Sequence, residues 1–219
     1  MSLSTVLALV AKDVRCELRS KQSICAFLLF AVTSTIAVSF TIGTIGGRSA
    51  LGATLLWIVI YFSAMAGLGR SFAHEEEAGT ANLLRLATTA ESVYLGKLVL
   101  SFIALILVEA VTVPLFILLT GSRICDVGMF AALLVLGSLA LSAGATTAAA
   151  MVSRAASRGA LLAAISFPLL APALVVAISG TSIAMRGSNG AASDLRLLLY
   201  YCGLVITASL MLFRCVWEE

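Results

Sequence analysis

Three acids stand in a row, Glu75, Glu76 and Glu77, inside the stretch Arg70 to Lys97, RSFAHEEEAGTANLLRLATTAESVYLGK. The single histidine of the chain, His74, adjoins them. A Ser or Cys nucleophile needs a base within reach, and a zinc site needs three or four donors. One histidine, with no His, Cys and carboxylate cluster at ligand spacing, supplies neither. No GxxxxGK[ST] segment is present, so no phosphate-cradling loop is encoded. The chain is therefore expected not to be an enzyme by itself. What the acids can do is pair with cations of a partner, or stay solvated. Gly79 permits a sharp break. Thr80 can cap a short helix through Asn82, Leu83, Leu84, Arg85 and Leu86. That helix would lie crosswise under a membrane, with Leu83, Leu84 and Leu86 offered to a groove on another protein. Thr88 with Glu91 reads as a capping box that starts the next helix near Tyr94.

Glu109 is the second chemically notable residue, set within VLSFIALILVEAVTVPLF. A carboxyl group in so apolar a run is expensive and marks a functional candidate. It could line a substrate or proton path, or it could hydrogen-bond neighbouring helices and fix their packing. Pro114, five residues on, leaves the carbonyl of Ala110 without its intrahelical donor, a polar weak point beside Glu109.

The elements that must position these residues follow from composition. Of 219 residues 61% are hydrophobic and 11% charged, whereas about a quarter of a soluble domain is charged. Uncharged runs cover 22–47, 49–69, 127–153, 159–185 and 197–213, and Leu98–Ser122 is broken only by Glu109. About 20 apolar residues cross the hydrocarbon as a helix, so the expected fold is all-α and polytopic, with six transmembrane helices at about 23–46, 50–69, 96–120, 127–152, 160–183 and 196–215. The loop 70–95 separates the second and third. With the N-terminus in the cytoplasm, Lys12, Arg15, Arg19, Lys21, Arg70, Arg85, Lys97, Arg154, Arg158 and Arg214 lie inside, against Arg48, Arg123, Arg186 and Arg196 outside. The positive-inside rule then places both termini in the cytoplasm. The net charge of +3 reflects this anchoring and gives no reason to expect nucleic acid.

Residues 1–22 read as an amphipathic interfacial helix, with Leu3, Leu7, Val10, Val14 and Leu18 on one side and Lys12, Arg15 and Arg19 on another. It could be a mere anchor or have a mechanical role. The five cysteines show no CxxC spacing, and only Cys125 is expected on the oxidising side, so no disulfide framework is expected. The longest outward loop is expected over Ser179–Asp194. Pro114, Pro168 and Pro172 fall within spans, as hinges or as shaping kinks. Ala140, Gly144 and Ala148 put small residues on one face of the fourth span, allowing close helix approach within the subunit or at a dimer seam.

Several segments together resemble one family, the haem exporter protein B (CcmB-type) membrane subunits of the cytochrome c maturation ABC transporter. KDVRCELRSKQ resembles the family's (R/K)D-x-R-x-E-x-R segment at Asp13, Arg15, Glu17 and Arg19. GRSFAHEEEAGT resembles its F-x-x-E-x-E-x-GT loop at Phe72, Glu75, Glu77, Gly79 and Thr80. YLGK at Tyr94–Lys97, Glu109 with Pro114–Phe116, Pro168 with Pro172, and the Glu218–Glu219 ending also match. The chain departs from the pattern in lacking a proline shortly before YLGK and in having Glu76 where a basic residue is common. The resemblance implies a type 2 ABC exporter (ABC-2) architecture in the bacterial inner membrane, multi-pass, with two copies on a pair of ATPase subunits (the A component). It implies that Phe72, Glu75, Glu77, Gly79, Thr80, Leu83, Leu84 and Arg85 serve ATPase coupling. It also implies the haem-handling membrane protein (C component), a small membrane protein (D component) and a haem chaperone (E component) as partners. ATP and magnesium would sit on the ATPase, and haem in the complex, with no cofactor on this chain itself. The sole histidine is on the wrong side for haem ligation, and Met129 and Met185 near the outer face are more ordinary as packing. Mechanical coupling is thus favoured over haem conduction. The competing expectations are a stand-alone ion-coupled carrier using Glu109 and a passive assembly scaffold.

Overall fold

The computed structural model describes residues 3–19, 21–45, 49–68, 89–152, 158–188 and 190–218. Among the described residues the chain is all-helical, with seven helices and no strand: α1 (Leu3–Arg19), α2 (Lys21–Ile45), α3 (Ser49–Leu68), α4 (Ala90–Thr120), α5 (Val127–Val152), α6 (Arg158–Arg186) and α7 (Ala191–Glu218). Five of them contain stretches long and apolar enough to cross a membrane: Ser49–Ala66, Ala90–Thr120, Val127–Val152, Ala164–Arg186 and Ala191–Phe213. In α2, Leu28–Phe40 forms a shorter apolar segment. The outward surface is apolar too, with Phe40, Phe62, Leu118, Val175, Leu204 and Met211 each more than half exposed. Water would penalise such a surface, whereas lipid accepts it. The chain is a polytopic membrane protein.

Helix α5 is the hub, packing against α3, α4, α6 and α7. Its composition explains why. Gly137, Ala140, Gly144 and Ala148 recur at helical spacing, so neighbouring helices can come close. Ala140 clusters with Ala173 of α6 and Cys202 of α7. Gly144 lies under Leu170, whose Cδ2 would stand 2.4 Å from an added Cβ. Ala148 packs in a cluster with Tyr94, Leu162 and Phe213. The small-residue face is filled inside the subunit, which resolves the choice left open by its sequence. Trp57 of α3 abuts Gly137 through Cη2 and donates from Nε1 to Thr181 Oγ1 of α6 at 2.9 Å, joining three helices.

Two expectations from sequence need correction. The segment Ser179–Asp194 is not a long loop, because α6 continues to Arg186 and α7 starts at Ala191. Two of its polar side chains find partners within the helix packing, while Asp194 Oδ2 is buried without one. Thr181 accepts the Trp57 bond, Ser182 accepts from Arg186 at 3.1 Å, and Gly180 makes room for Leu133 and Asp194. Helix α4 is likewise not started by a Thr88–Glu91 capping box. Thr89 is the N-cap, Ala90 the first helical residue, and no side chain caps the end. The Thr89 hydroxyl bonds the Ser92 hydroxyl at 2.9 Å, and the backbone nitrogens of Ser92 and Val93 close on the Thr89 carbonyl. Thr88 lies outside the described residues. At the opposite end Gly121, at φ +62°, terminates α4 in the left-handed conformation that glycine tolerates.

Candidate functional site

The first turns of α4 follow directly on the segment that carries the glutamate run. Val93, Tyr94, Lys97, Leu98 and Ser101 recur every three or four residues, and all are buried. A lysine on such a face needs a partner, because a buried lone charge is costly. The partner is Asp13 of α1, whose Oδ2 is 2.9 Å from Lys97 Nζ, with side-chain exposures of 6% for Lys97 and 9% for Asp13. Asp13 Oδ1 also meets Lys12 Nζ at 3.2 Å, nearer the surface. Gly96, next to Lys97, lets α1 approach, since an added Cβ there would stand 3.4 Å from Leu9 Cβ. The face of α1 that seats on the bundle therefore runs through Leu9 and Asp13. The stripe read from sequence lies to one side of it: Leu7 is 62% exposed, and Val10 and Val14 are half-buried. Arg15 is exposed. Glu17 and Arg19 belong to the backbone of α1, and their side chains lie outside the described residues.

Tyr94, fully buried, extends the same junction to two further helices. Its ring tilts on Phe213 of α7 with centroids 5.6 Å apart. Its hydroxyl makes a long bond to the Ala143 carbonyl at 3.4 Å and lies 3.5 Å from Thr147 Oγ1 of α5. Thr147 in turn meets Ser209 Oγ of α7 at 2.6 Å. The four residues Tyr94–Lys97 thus tie α4 to α1, α5 and α7 within little more than one helical turn.

Glu109 lies twelve residues further along α4, about 18 Å from Lys97 at 1.5 Å per residue, which sets it deep within the bundle. It is buried, and its Oε1 accepts a 2.5 Å hydrogen bond from Ser138 Oγ of α5. Ser138 Oγ is also 2.7 Å from its own helix's Leu134 carbonyl. Thr112, one turn on, is fully buried and bonds back to the Val108 carbonyl at 2.9 Å. Pro114 lies within α4 and is exposed. Pro168 and Pro172 are likewise exposed on α6. Met185 is buried beside Phe116, with both side chains close over Gly52, and Met129 is half-buried against the same core. Both methionines occupy packing positions.

Phe72, Glu75, Glu77, Gly79, Thr80, Leu83, Leu84 and Arg85, with His74 and Glu76, lie outside the described residues. The structure adds Lys97, Tyr94 and Gly96 to the candidate set. Their sequence signals were the family-like YLGK segment and the placement of a lone cation and a glycine at the start of an apolar run. The partner Asp13 is far away in sequence, so the pairing itself was not readable.

The comparisons with known proteins agree on one grouping. The family model described as "CcmB protein" matches residues 4–215. The chain is 26% identical over 208 residues to "Heme exporter protein B" of Bradyrhizobium diazoefficiens, covering 93% of this chain and 94% of that protein. It is 28% identical over 192 residues to "Heme exporter protein B" of Rhodobacter capsulatus, covering 87% of each. With the family model matching nearly the whole chain, over an apolar helical bundle, the chain belongs to the CcmB protein family.

Proposed function

We propose that this chain is the transmembrane subunit of an ABC export assembly in c-type cytochrome biogenesis, converting ATP hydrolysis on a partner ATPase into haem export or release of a haem-loaded chaperone. It sits in the bacterial inner membrane with both termini in the cytoplasm. The family match and the two relatives named for haem export support the biological setting. The observation that carries the mechanical reading is the junction at Tyr94–Lys97. It follows immediately on segment 70–89 and ties α4 to α1, α5 and α7. A push on that segment is therefore delivered to four helices together. Helix α2 serves as the sixth span in this reading: its 25 residues extend about 37 Å, more than the roughly 30 Å hydrocarbon. The assembly holds two copies of the chain on two ATPase subunits, together with haem-handling membrane and chaperone partners. Glu109 serves as an interhelical hydrogen-bonding group rather than a carrier site, a role supported by its close contact with Ser138.

The test is Glu75→Ala with Glu77→Ala in the assembled complex in native membrane vesicles. Insertion and complex yield are expected to stay normal, while ATP-driven release of haem-loaded chaperone falls about tenfold or more, as for loss of several charge-assisted contacts. Normal coupling in a correctly assembled complex would overturn the role given to this loop.

A further inference from the structure

Helix α1 reads from sequence as an interfacial helix that is either a mere anchor or a mechanical element, and its central acid is one of the most buried charged side chains described. Three observations converge on it. Asp13 and Lys97 form a 2.9 Å pair with exposures of 9% and 6%. Gly96 brings the two backbones close enough for Leu9 to rest on α4. Leu9 also packs in the cluster built from Val93, Tyr94, Ala148 and Phe213. An ion pair shielded from water holds far better than a solvated one, and without Lys97 the buried Asp13 would keep the more exposed Lys12 at 3.2 Å but lose its tie to α4.

We propose that Asp13 and Lys97 are positioning residues that latch α1 to the first turns of α4, so that the two helices move as one body when the preceding loop is displaced. The latch deepens the coupling role proposed above and rests on that reading. Asp13 and Lys97 touch no cargo; they act through Tyr94, which transmits the position of α4 to α5 and α7. Ion-pair directionality supplies register along the two helices, and the Leu9–Gly96 contact supplies the close approach. The latch also explains why a lysine stands inside the membrane-facing end of α4 instead of further out, where it could remain hydrated.

The geometry provides its own reporter. Cysteines placed at Leu9 and Gly96 would have Cβ atoms 3.4 Å apart, close to the roughly 3.5–4.5 Å of a disulfide. The experiment uses Leu9→Cys with Gly96→Cys in the full complex, after replacing the five native cysteines by alanine. Oxidation is expected to crosslink the two helices rapidly and to leave ATP-driven turnover within about twofold of the reduced form, because a rigid pair loses nothing by being tied. Adding Lys97→Met is expected to slow crosslinking and to lower turnover in the reduced state by roughly tenfold each. Oxidation of that variant, once complete, should restore turnover, which a residue needed only for folding would not allow. The charge exchange Asp13→Lys with Lys97→Asp should recover crosslinking relative to either single change.

Crosslinking at an unchanged rate in Lys97→Met would overturn the latch. Inactivation by the disulfide would show that α1 and α4 must part during the cycle, overturning movement as one body. Slower crosslinking with full turnover in reduced Lys97→Met would show that the latch has no part in coupling. The crosslinking readout needs no ATPase, so failure of the ATP-coupled reading in the Glu75 and Glu77 test remains separate from failure of the latch.

Discussion

Gly137→Ala offers a sharp test of the packing that supports the site, because the structure sets the size of the conflict. A methyl at Gly137 would stand 2.0 Å from Trp57 Cη2 and 2.8 Å from both Cζ2 and Cζ3. Carbon atoms rest at about 3.5–4.0 Å, so the ring must retreat by about 1.5 Å. Trp57 is fully buried and its Nε1 is held by Thr181 at 2.9 Å. It has no free direction. Overpacking of this kind costs about 1–3 kcal/mol, and a strained interhelical hydrogen bond adds about 0.6 kcal/mol in a membrane protein. Alanine regains up to about 1 kcal/mol over glycine in helix propensity. The net expectation is destabilisation of about 2 kcal/mol. Gly203, with nothing within 4 Å of its added Cβ, is the control. Gly203→Ala should be neutral or stabilising by up to about 1 kcal/mol. The assay is the unfolding midpoint of the detergent-purified protein, followed by tryptophan emission, with a shift of roughly 5 °C downward for Gly137→Ala. Trp57→Phe removes the ring atoms that the methyl would meet, so Gly137→Ala in that background should lose most of its penalty. Equal stability of Gly137→Ala and Gly203→Ala, or an undiminished penalty in the Trp57→Phe background, would refute the argument.

Other outcomes follow from the same contacts. Glu109→Gln keeps an acceptor for Ser138 and should retain assembly and haem export, with stability changed by under about 1 kcal/mol; loss of export at normal complex levels would restore the carrier reading. Tyr94→Phe removes the long hydroxyl contacts but keeps the stack on Phe213, so it should cost less than about 1 kcal/mol. Tyr94→Ala empties a fully buried site and should cost about 3–5 kcal/mol by thermal or denaturant unfolding. Met185→Leu conserves volume in the core beside Phe116 and should leave haem release unchanged and cost less than about 1.5 kcal/mol; a specific loss of haem-loaded chaperone release would point to ligation.

The all-helical membrane character was legible because hydrophobic run length is a local property, read without knowing what packs on what. The small residues of α5 were legible as a close-approach face for the same reason, since helical spacing alone puts Ala140, Gly144 and Ala148 together. Where that face points was not, because any apolar neighbour would serve; only the placement of Leu170, Ala173 and Cys202 decided it. Polar residues were the weakest guide. Thr181, Ser182 and Asp194 resembled loop residues, yet contacts from Trp57 and Arg186 and the close packing at Gly180 accompany their place in helices. Asp13 was legible only as part of a family-like charged segment, and its partner emerged when Lys97 was brought to 2.9 Å. By itself the sequence determined which segments are apolar enough to enter lipid, and which residues stand out there as costly. Only the tertiary structure decided how those costs are met, because a hydrogen bond or ion pair between helices depends on distance in space, which sequence separation does not encode.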